Sequence, residues 1–349
     1  MEARAVCHLI LGQPPDDVTV LKETDMTKVV RIHEYGGTDV LRIEDDEIGA
    51  PGPGEVLLDH KGMALHFADT MLRDGRYFLK PELPAVMGLD GAGIVEAVGE
   101  GVTAFKPGDA ACYLFALGAY AEKRLISADL LIPVPAGIEP KNIAGTFLRC
   151  MTAQYLLRQT YRVQDGDTVL IHTAAGGMGT LLCQWAKALG ATVIGTVGSD
   201  DKSDIARVSG CDHVINSRTG GIAARVDEIT GGAGVQVVYD AIGKDVWDAN
   251  VAALRPTGYL INYGHMSGLM DPIDPMQLNA KSIFFAKVSL PHFMSSPDAK
   301  RAMAADVFQA IADGVLDISI SREYPLDDIV QAQEDMVARQ TTGSVIIVP

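Results

Sequence analysis

The apolar positions of this chain change their spacing once, near residue 150. Between residues 26 and 148 they fall in short runs interrupted by glycine and proline. The alternating stretch 27–32 and the runs 56–58, 93–99 and 109–113 predict short strands. Turn chemistry separates them, as at Pro51-Gly52-Pro53-Gly54 and Lys106-Pro107-Gly108-Asp109. Short strands with such breaks predict a small barrel or sandwich.

Past residue 150 the pattern lengthens. Residues 152–160 predict a helix, 168–172 a continuous apolar strand, and 180–189 a helix stopped by Gly190. Strands at 192–197, 213–215, 235–239 and 259–263 alternate with helices such as 201–209. Strands spaced by helices imply βαβ units and a parallel sheet. The tail predicts a helix at 298–313, a strand at 318–322, a helix at 326–339 and a closing strand at 345–348.

One loop carries recognisable chemistry. The strand at 169–172 runs into Thr173-Ala174-Ala175-Gly176-Gly177-Met178-Gly179 and then a helix. Ala174, Gly176 and Gly179 occupy the three places of a dinucleotide-binding G-x-G-x-x-G pattern. Such a loop turns tightly, lets backbone approach a pyrophosphate, and packs the helix close to the sheet. The next strand ends at Gly198-Ser199, with Lys202 one helical turn later. An NAD site wants a carboxylate there. A small residue, a hydroxyl and a cation suit a 2′-phosphate instead, so NADP(H) is the expected cofactor. Asp200 and Asp201 oppose this, unless they point to solvent at a helix start, where acids are favourable.

Composition narrows the function further. With 29 Lys+Arg and 45 Asp+Glu the formal charge is −16, which argues against nucleic acid and anionic membranes as partners. No apolar run reaches the ~18–20 residues of a bilayer span. The five cysteines are widely spaced without a C-x-x-C pair, as expected of buried thiols in the cytoplasm. Residues 1–25 lack a convincing signal peptide. They predict either a loose extension ahead of Met26 or an added edge strand.

Further stretches carry a family resemblance. They are His33-Glu34-Tyr35-Gly36-Gly37-Thr38-Asp39-Val40-Leu41, Phe67-Ala68-Asp69-Thr70 with Arg73, Gly75-Arg76-Tyr77, Gly88-Leu89-Asp90-Gly91-Ala92-Gly93 and Leu117-Gly118-Ala119-Tyr120. With the glycine loop, Gln184-Trp185-Ala186-Lys187-Ala188-Leu189-Gly190-Ala191 and Val237-Val238-Tyr239-Asp240, they extend from Met26 to Pro349. The chain resembles the zinc-independent quinone oxidoreductases of the medium-chain dehydrogenase/reductase superfamily, the group that includes zeta-crystallin. The resemblance implies an α/β fold. A GroES-like β-barrel catalytic domain (26–149 and 289–349) is interrupted by a Rossmann domain with a doubly wound parallel sheet (150–288). It also implies a cleft active site and a homodimer joined through strands like 282–286. Zinc-dependent relatives carry a His beside the acid of the 88–93 segment, where this chain has Leu89. They also carry four clustered cysteines that are absent here, so no metal is expected.

The resemblance locates the chemistry. His66 and Met71 stand where members carry an amide and a tyrosine in the quinone pocket, and Tyr77 matches a second tyrosine. His66 either donates to the developing oxyanion or serves packing and cofactor contact. Met71 makes the pocket softer and more apolar. Phe67 and Asp69 would line the nicotinamide side, with Thr152 and Tyr155 starting the helix beneath it. Gly176, Gly177 and Met178 would meet the pyrophosphate. Gly198, Ser199, Lys202 and Ser217 would surround the 2′-phosphate; Ser217 replaces a frequent tyrosine, with Arg218 in position to compensate. Ile242, Gly264, His265 and Ser267 would follow the next strand ends, Ser289 and Leu290 the return to the barrel. Arg339 would close over the phosphates. The implied activity is NADPH-dependent reduction of a quinone. Two alternatives share the machinery or the scaffold: reduction of activated C=C bonds of the enone, alkenal or 2-haloacrylate type, and a non-catalytic, crystallin-like nucleotide-binding protein.

Overall fold

In the computed structural model, residues 25–349 are described, apart from Phe78 and Thr342. The expectation for the leader therefore lies outside the described residues, except that Asp25 opens the first strand. Among the described residues eight strands precede residue 140: β1 (Asp25–Ile32), β2 (Arg42–Ile48), β3 (Glu55–Ala64), β4 (Ala85–Val86), β5 (Gly91–Val98), β6 (Ala110–Tyr113), β7 (Lys123–Ser127) and β8 (Ile132–Pro133). Six more form one sheet: β9 (Thr168–Ile171), β10 (Thr192–Val197), β11 (His213–Asn216), β12 (Val235–Asp240), β13 (Leu254–Asn262) and β14 (Phe284–Lys287). The chain ends in β15 (Arg322–Pro325) and β16 (Val345–Val348).

The six-stranded sheet is parallel throughout, in the order β11-β10-β9-β12-β13-β14. The chain reverses direction of travel between β9 and β12, the switch point at which such sheets bind ligands. Both faces are covered, which is why β9 reads as unbroken apolar sequence. Val169 and Ile171 point into one core cluster, and Leu170 points into the cluster on the opposite face.

The remaining strands make the barrel. One sheet runs β15-β16-β3-β5-β6-β8 with β7 also on β3, and a second runs β2-β1-β4. The last strand thus returns to the N-terminal half: Ile346 and Ile347 pair with Ala64 and Met63. A core of Val56, Leu58, Met63, Leu72, Tyr120 and Ile347 fills this unit.

Four helices matter for the site: α1 (Phe67–Arg73), α2 (Pro140–Tyr155), α3 (Gly177–Ala188) and α4 (Ser203–Val208). Two expectations need correction. The helix expected at 152–160 starts at Pro140, so Thr152 and Tyr155 end it, and residues 156–160 continue as a π-turn. Pro140 is suited to a first helical turn because its missing N–H needs no partner there. The strand expected at 318–322 lies at Arg322–Pro325. Asp317 captures the Ser319 amide at 2.9 Å, a local turn that competes with a ladder.

Leu170 is fully buried at the centre of the parallel sheet. Leu170→Ala is expected to lower unfolding stability by about 2–5 kcal/mol. Chemical denaturation checks this, as a shifted midpoint at unchanged slope; a loss below about 1 kcal/mol would mean that the core closes over the gap.

Candidate active site

Two antiparallel ladders aim one side chain. β3 runs against β5 with Met63 opposite Gly91, and the Ala64 amide donates to the Asp90 carbonyl at 3.0 Å. On the other flank the Leu65 amide donates to the Val345 carbonyl at 3.1 Å. The chain leaves this grip at His66, the N-cap of α1. The His66 amide donates to Asp69 Oδ2 at 2.7 Å, and the ring Nε2 meets Asp90 Oδ2 at 2.7 Å. The second oxygen of Asp90 accepts from the Phe115 amide at 2.7 Å. Phe115 adopts φ 57° there, a conformation that side chains other than glycine rarely hold.

Electrostatics follow from this packing. Burial alone would depress the His66 pKa. The hydrogen bond to Asp90, with the charges of Asp90 and Asp69, outweighs it and raises His66 above its ordinary 6.5. Arg149 pulls the other way. Burial also pushes Asp69 up to about 6, beside the Tyr120 hydroxyl. Tyr77 lies partly buried against the barrel core, its hydroxyl pKa raised by burial and then by Asp69 and Asp90. His66, Asp69 and Tyr77 therefore share one electrostatic neighbourhood. Met71 lies between them on α1, its carbonyl accepting from the amides of Arg76 and Tyr77. Phe67 opens α1 with its side chain 55% exposed.

The glycine loop stands at the C-terminal end of β9. A Cβ on Gly179 would lie 2.1 Å from the Thr173 carbonyl oxygen, so only glycine allows α3 to start this close to the strand. Gly176 caps α3, whose first residues are Gly177 and Met178. These features form a cradle of open helix-terminal N–H groups, suited to an anion.

The neighbouring strand ends supply the flanks. Ser217 Oγ donates to the Val197 carbonyl at 3.1 Å, which brings Ser217 beside Gly198. Asp201 is held below the usual carboxylate range by a hydrogen bond from Ser199, then by the charges of Lys202 and Arg218. Ser199, Lys202, Ser217 and Arg218 thus gather at the ends of β10 and β11. After β12 and β13, Ser267 Oγ donates to the Ile242 carbonyl at 2.9 Å. Gly264 approaches Ala241 so closely that a Cβ would sit 2.4 Å from its carbonyl oxygen, and His265 follows on the same turn. Ser289 caps the short helix Leu290–Phe293, and Leu290 is buried. Thr152 donates to the Leu148 carbonyl within α2, while Tyr155 stacks on Phe293 at 4.4 Å. Arg339 is exposed with φ 59°, after the helix Ile329–Val337.

Three site residues have no role that the sequence alone assigns. Asp90 sits in a quoted motif but gains its role only from the ladder register. Lys287 ends β14, donating to Asn262 Oδ1 at 2.5 Å and to the Gly264 carbonyl at 3.1 Å. Burial lowers its pKa against the pull of Asp240. Asn262 in turn donates to Asp240 Oδ2 at 2.8 Å, so a polar chain ties the ends of β12, β13 and β14. Arg149 lies against the glycine loop. The end of a parallel strand was an available signal for Lys287; Arg149 had none.

Comparison with known proteins places the chain among oxidoreductases. Residues 52–136 match the alcohol dehydrogenase GroES-like domain, and residues 177–309 match the zinc-binding dehydrogenase family. Among the described residues no group of three or more His, Cys, Asp or Glu is placed to hold a metal ion. A 2-haloacrylate reductase of a Burkholderia species is 43% identical over 93% of this chain and 99% of its own. A quinone oxidoreductase of Pseudomonas aeruginosa is 39% identical over 93% and 100%. The solved structure of Escherichia coli quinone oxidoreductase complexed with NADPH superposes with a TM-score of 0.84 at 36% identity, covering 92% of this chain and all of that one.

The Asp90 contact makes a prediction. In Asp90→Asn the His66 pKa is expected to fall below 6.5, because burial and Arg149 then act with less opposition. Following the ring resonances against pH by NMR checks this; an unchanged titration would mean that Asp90 does not set it.

Proposed function

The chain belongs to the quinone oxidoreductase family of the medium-chain dehydrogenases/reductases, and on that premise we propose that it reduces quinones with NADPH. The observation that carries this reading is the glycine cradle at the switch point of the parallel sheet, with Ser199, Lys202, Ser217 and Arg218 gathered at the neighbouring strand ends. The cradle fits a pyrophosphate, and Ser199, Lys202, Ser217 and Arg218 fit a 2′-phosphate, with Asp201 as a competing carboxylate among them. Gly176, Gly177 and Met178 would hold the former. Gly198, Ser199, Lys202, Ser217 and Arg218 would hold the latter, and Arg339 would close over the phosphates. Phe67 would line the nicotinamide side with Thr152 beneath it. Ile242, Gly264, His265 and Ser267 would follow the next strand ends and Ser289 the return to the barrel, while Asp69, Tyr155 and Leu290 are buried and would support these walls from behind. We assign 26–149 with 289–349 to the barrel and 150–288 to the nucleotide unit, with α2 crossing the junction.

When bound, NADPH supplies a hydride. The protein's part is to orient the acceptor, exclude water and provide one proton. His66 is the candidate donor of that proton, its Nε2 bound to Asp90 and its pKa raised by that contact. Tyr77 and Met71 shape the acceptor pocket. A second reading, reduction of an activated C=C bond, shares these residues. It is favoured by Met71 in a tyrosine's place and by the likeness to a 2-haloacrylate reductase.

We also propose a homodimer and a cytoplasmic location. β14 ends the parallel sheet with its outer edge unpaired among the described residues, and Phe284 on it is 53% exposed. An edge of this kind is a template for a second copy. The four described cysteines are buried free thiols, as suits a reducing compartment. No helix among the described residues is long and apolar enough to cross a membrane.

Purified protein with NADPH or NADH against quinones, enones and 2-haloacrylates tests the activity; no nucleotide oxidation with any acceptor would refute it. The rate is expected to fall as pH rises through the elevated His66 pKa, because the acid form is the donor. His66→Gln is expected to lose about 10²-fold in rate along with that inflection, and an inflection that persists would remove His66 from proton transfer. For the dimer, Phe284→Glu is expected to halve the mass measured by light scattering. A monomeric wild type would overturn it.

A further inference from the structure

Arg149 sits one turn before Thr152 on α2, and its hydrogen bonds are unusual for a cation. Nη1 donates to the Gly343 carbonyl at 2.8 Å. Nη2 donates to the Gly145 carbonyl at 2.5 Å and to Ser344 Oγ at 2.6 Å. Nε is sealed from solvent without a partner. Every acceptor is neutral, and no carboxylate pairs with Arg149 among the described residues. Its Nε is shut off from water while the rest of the side chain is half-buried, and a cation partly withdrawn from water without a counter-charge is costly.

Its position makes the cost greater still. A Cβ on Gly177 would lie 2.3 Å from Nη1, so the guanidinium presses on the first residue of α3. That 12-residue helix presents its positive end at the same spot. A cation and a helix N-terminus repel each other unless an anion lies between them. Despite the chain's net charge of −16, and with Asp204 and Asp317 lining the same cavity as Gly177 and Gly343, no carboxylate pairs with Arg149 among the described residues.

We infer that Arg149 is the counter-cation for the pyrophosphate held by the glycine loop. It is also the post that fixes the Gly343–Ser344 turn against that loop. This rests on the dinucleotide reading above and adds to it a positioning residue drawn from the barrel-to-sheet helix. Because the same guanidinium holds Gly343 and Ser344, the turn beginning at Arg339 is anchored where the diphosphate binds. Loss of the charge would thus weaken ligands that carry a diphosphate and spare those that do not.

The test compares Arg149→Gln with Arg149→Lys by titration calorimetry. The ligands are NADPH, 2′-phospho-ADP-ribose (a diphosphate without nicotinamide) and 2′-AMP (a 2′-phosphate without a diphosphate). Arg149→Gln is expected to weaken the first two at least tenfold and to leave 2′-AMP within twofold. Arg149→Lys, which keeps the charge, is expected to stay within about threefold for all three. The thermal shift induced by NADPH is expected to shrink in the Gln variant and persist in the Lys variant. Equal binding of NADPH by the two variants, or equal weakening of all three ligands, would overturn the inference while the NADPH reading stands. Failure of the wild type to bind NADPH would overturn both.

Discussion

The carboxylate of Asp90 is the constraint on which the candidate site depends. It is almost fully buried, and its two oxygens are committed to different parts of the chain: one to the Phe115 amide, one to His66. A buried carboxylate is tolerable only when hydrogen-bonded. These contacts therefore fix the backbone at Phe115 in a conformation it would not choose and fix the imidazole at the mouth of α1. The strand register supplies the approach. Because β16 returns from the far end of the chain to flank β3, the two residues leading to His66 are held from both sides.

That arrangement separates labour within the cleft. The barrel raises the His66 pKa by setting two carboxylates, which favour the charged ring, against burial, which disfavours it. The parallel sheet supplies open backbone N–H groups at its switch point and a polar chain from Asp240 through Asn262 to Lys287 at the ends of three strands. Neither part is complete alone. Helix α2 joins them, and Arg149 on it reaches both the glycine loop and the returning C-terminal turn. The overall charge of −16 acts against any anionic ligand at long range. Beyond about 8–10 Å it is screened at physiological salt, so cations close to the ligand outweigh the distant surplus.

Much of this was legible in the sequence where local pattern decides structure. The parallel strands read correctly because burial on both faces leaves a continuous apolar run, as at β9 and β10. The glycine loop read correctly because its glycines answer steric demands that a Cβ would violate. The strand expected at 318–322 failed because Asp317 supplied a local hydrogen bond stronger than the β pattern suggested. The start of α2 was missed because its first turn is polar and opens on proline, which resembles the loops before it. The site residues divided in the same way. His66 stands out by residue type, but its tie to Asp90, 24 positions away, exists only through the pairing of β3 with β5.

Lys287 and Arg149 show the limit more sharply. Each is a single cation in a stretch whose pattern says strand or helix and nothing else. Their significance arises from what surrounds them after folding: neutral acceptors, a buried stem and a neighbouring ligand cradle. For Lys287 an opposing charge is already present in Asp240; for Arg149 no carboxylate pairs with it among the described residues. On the inference drawn above, a diphosphate bound there would act on conformation as well as charge, because the same guanidinium holds Gly343 and Ser344. Diphosphate binding and the docking of Gly343 and Ser344 would in this way be two aspects of one interaction.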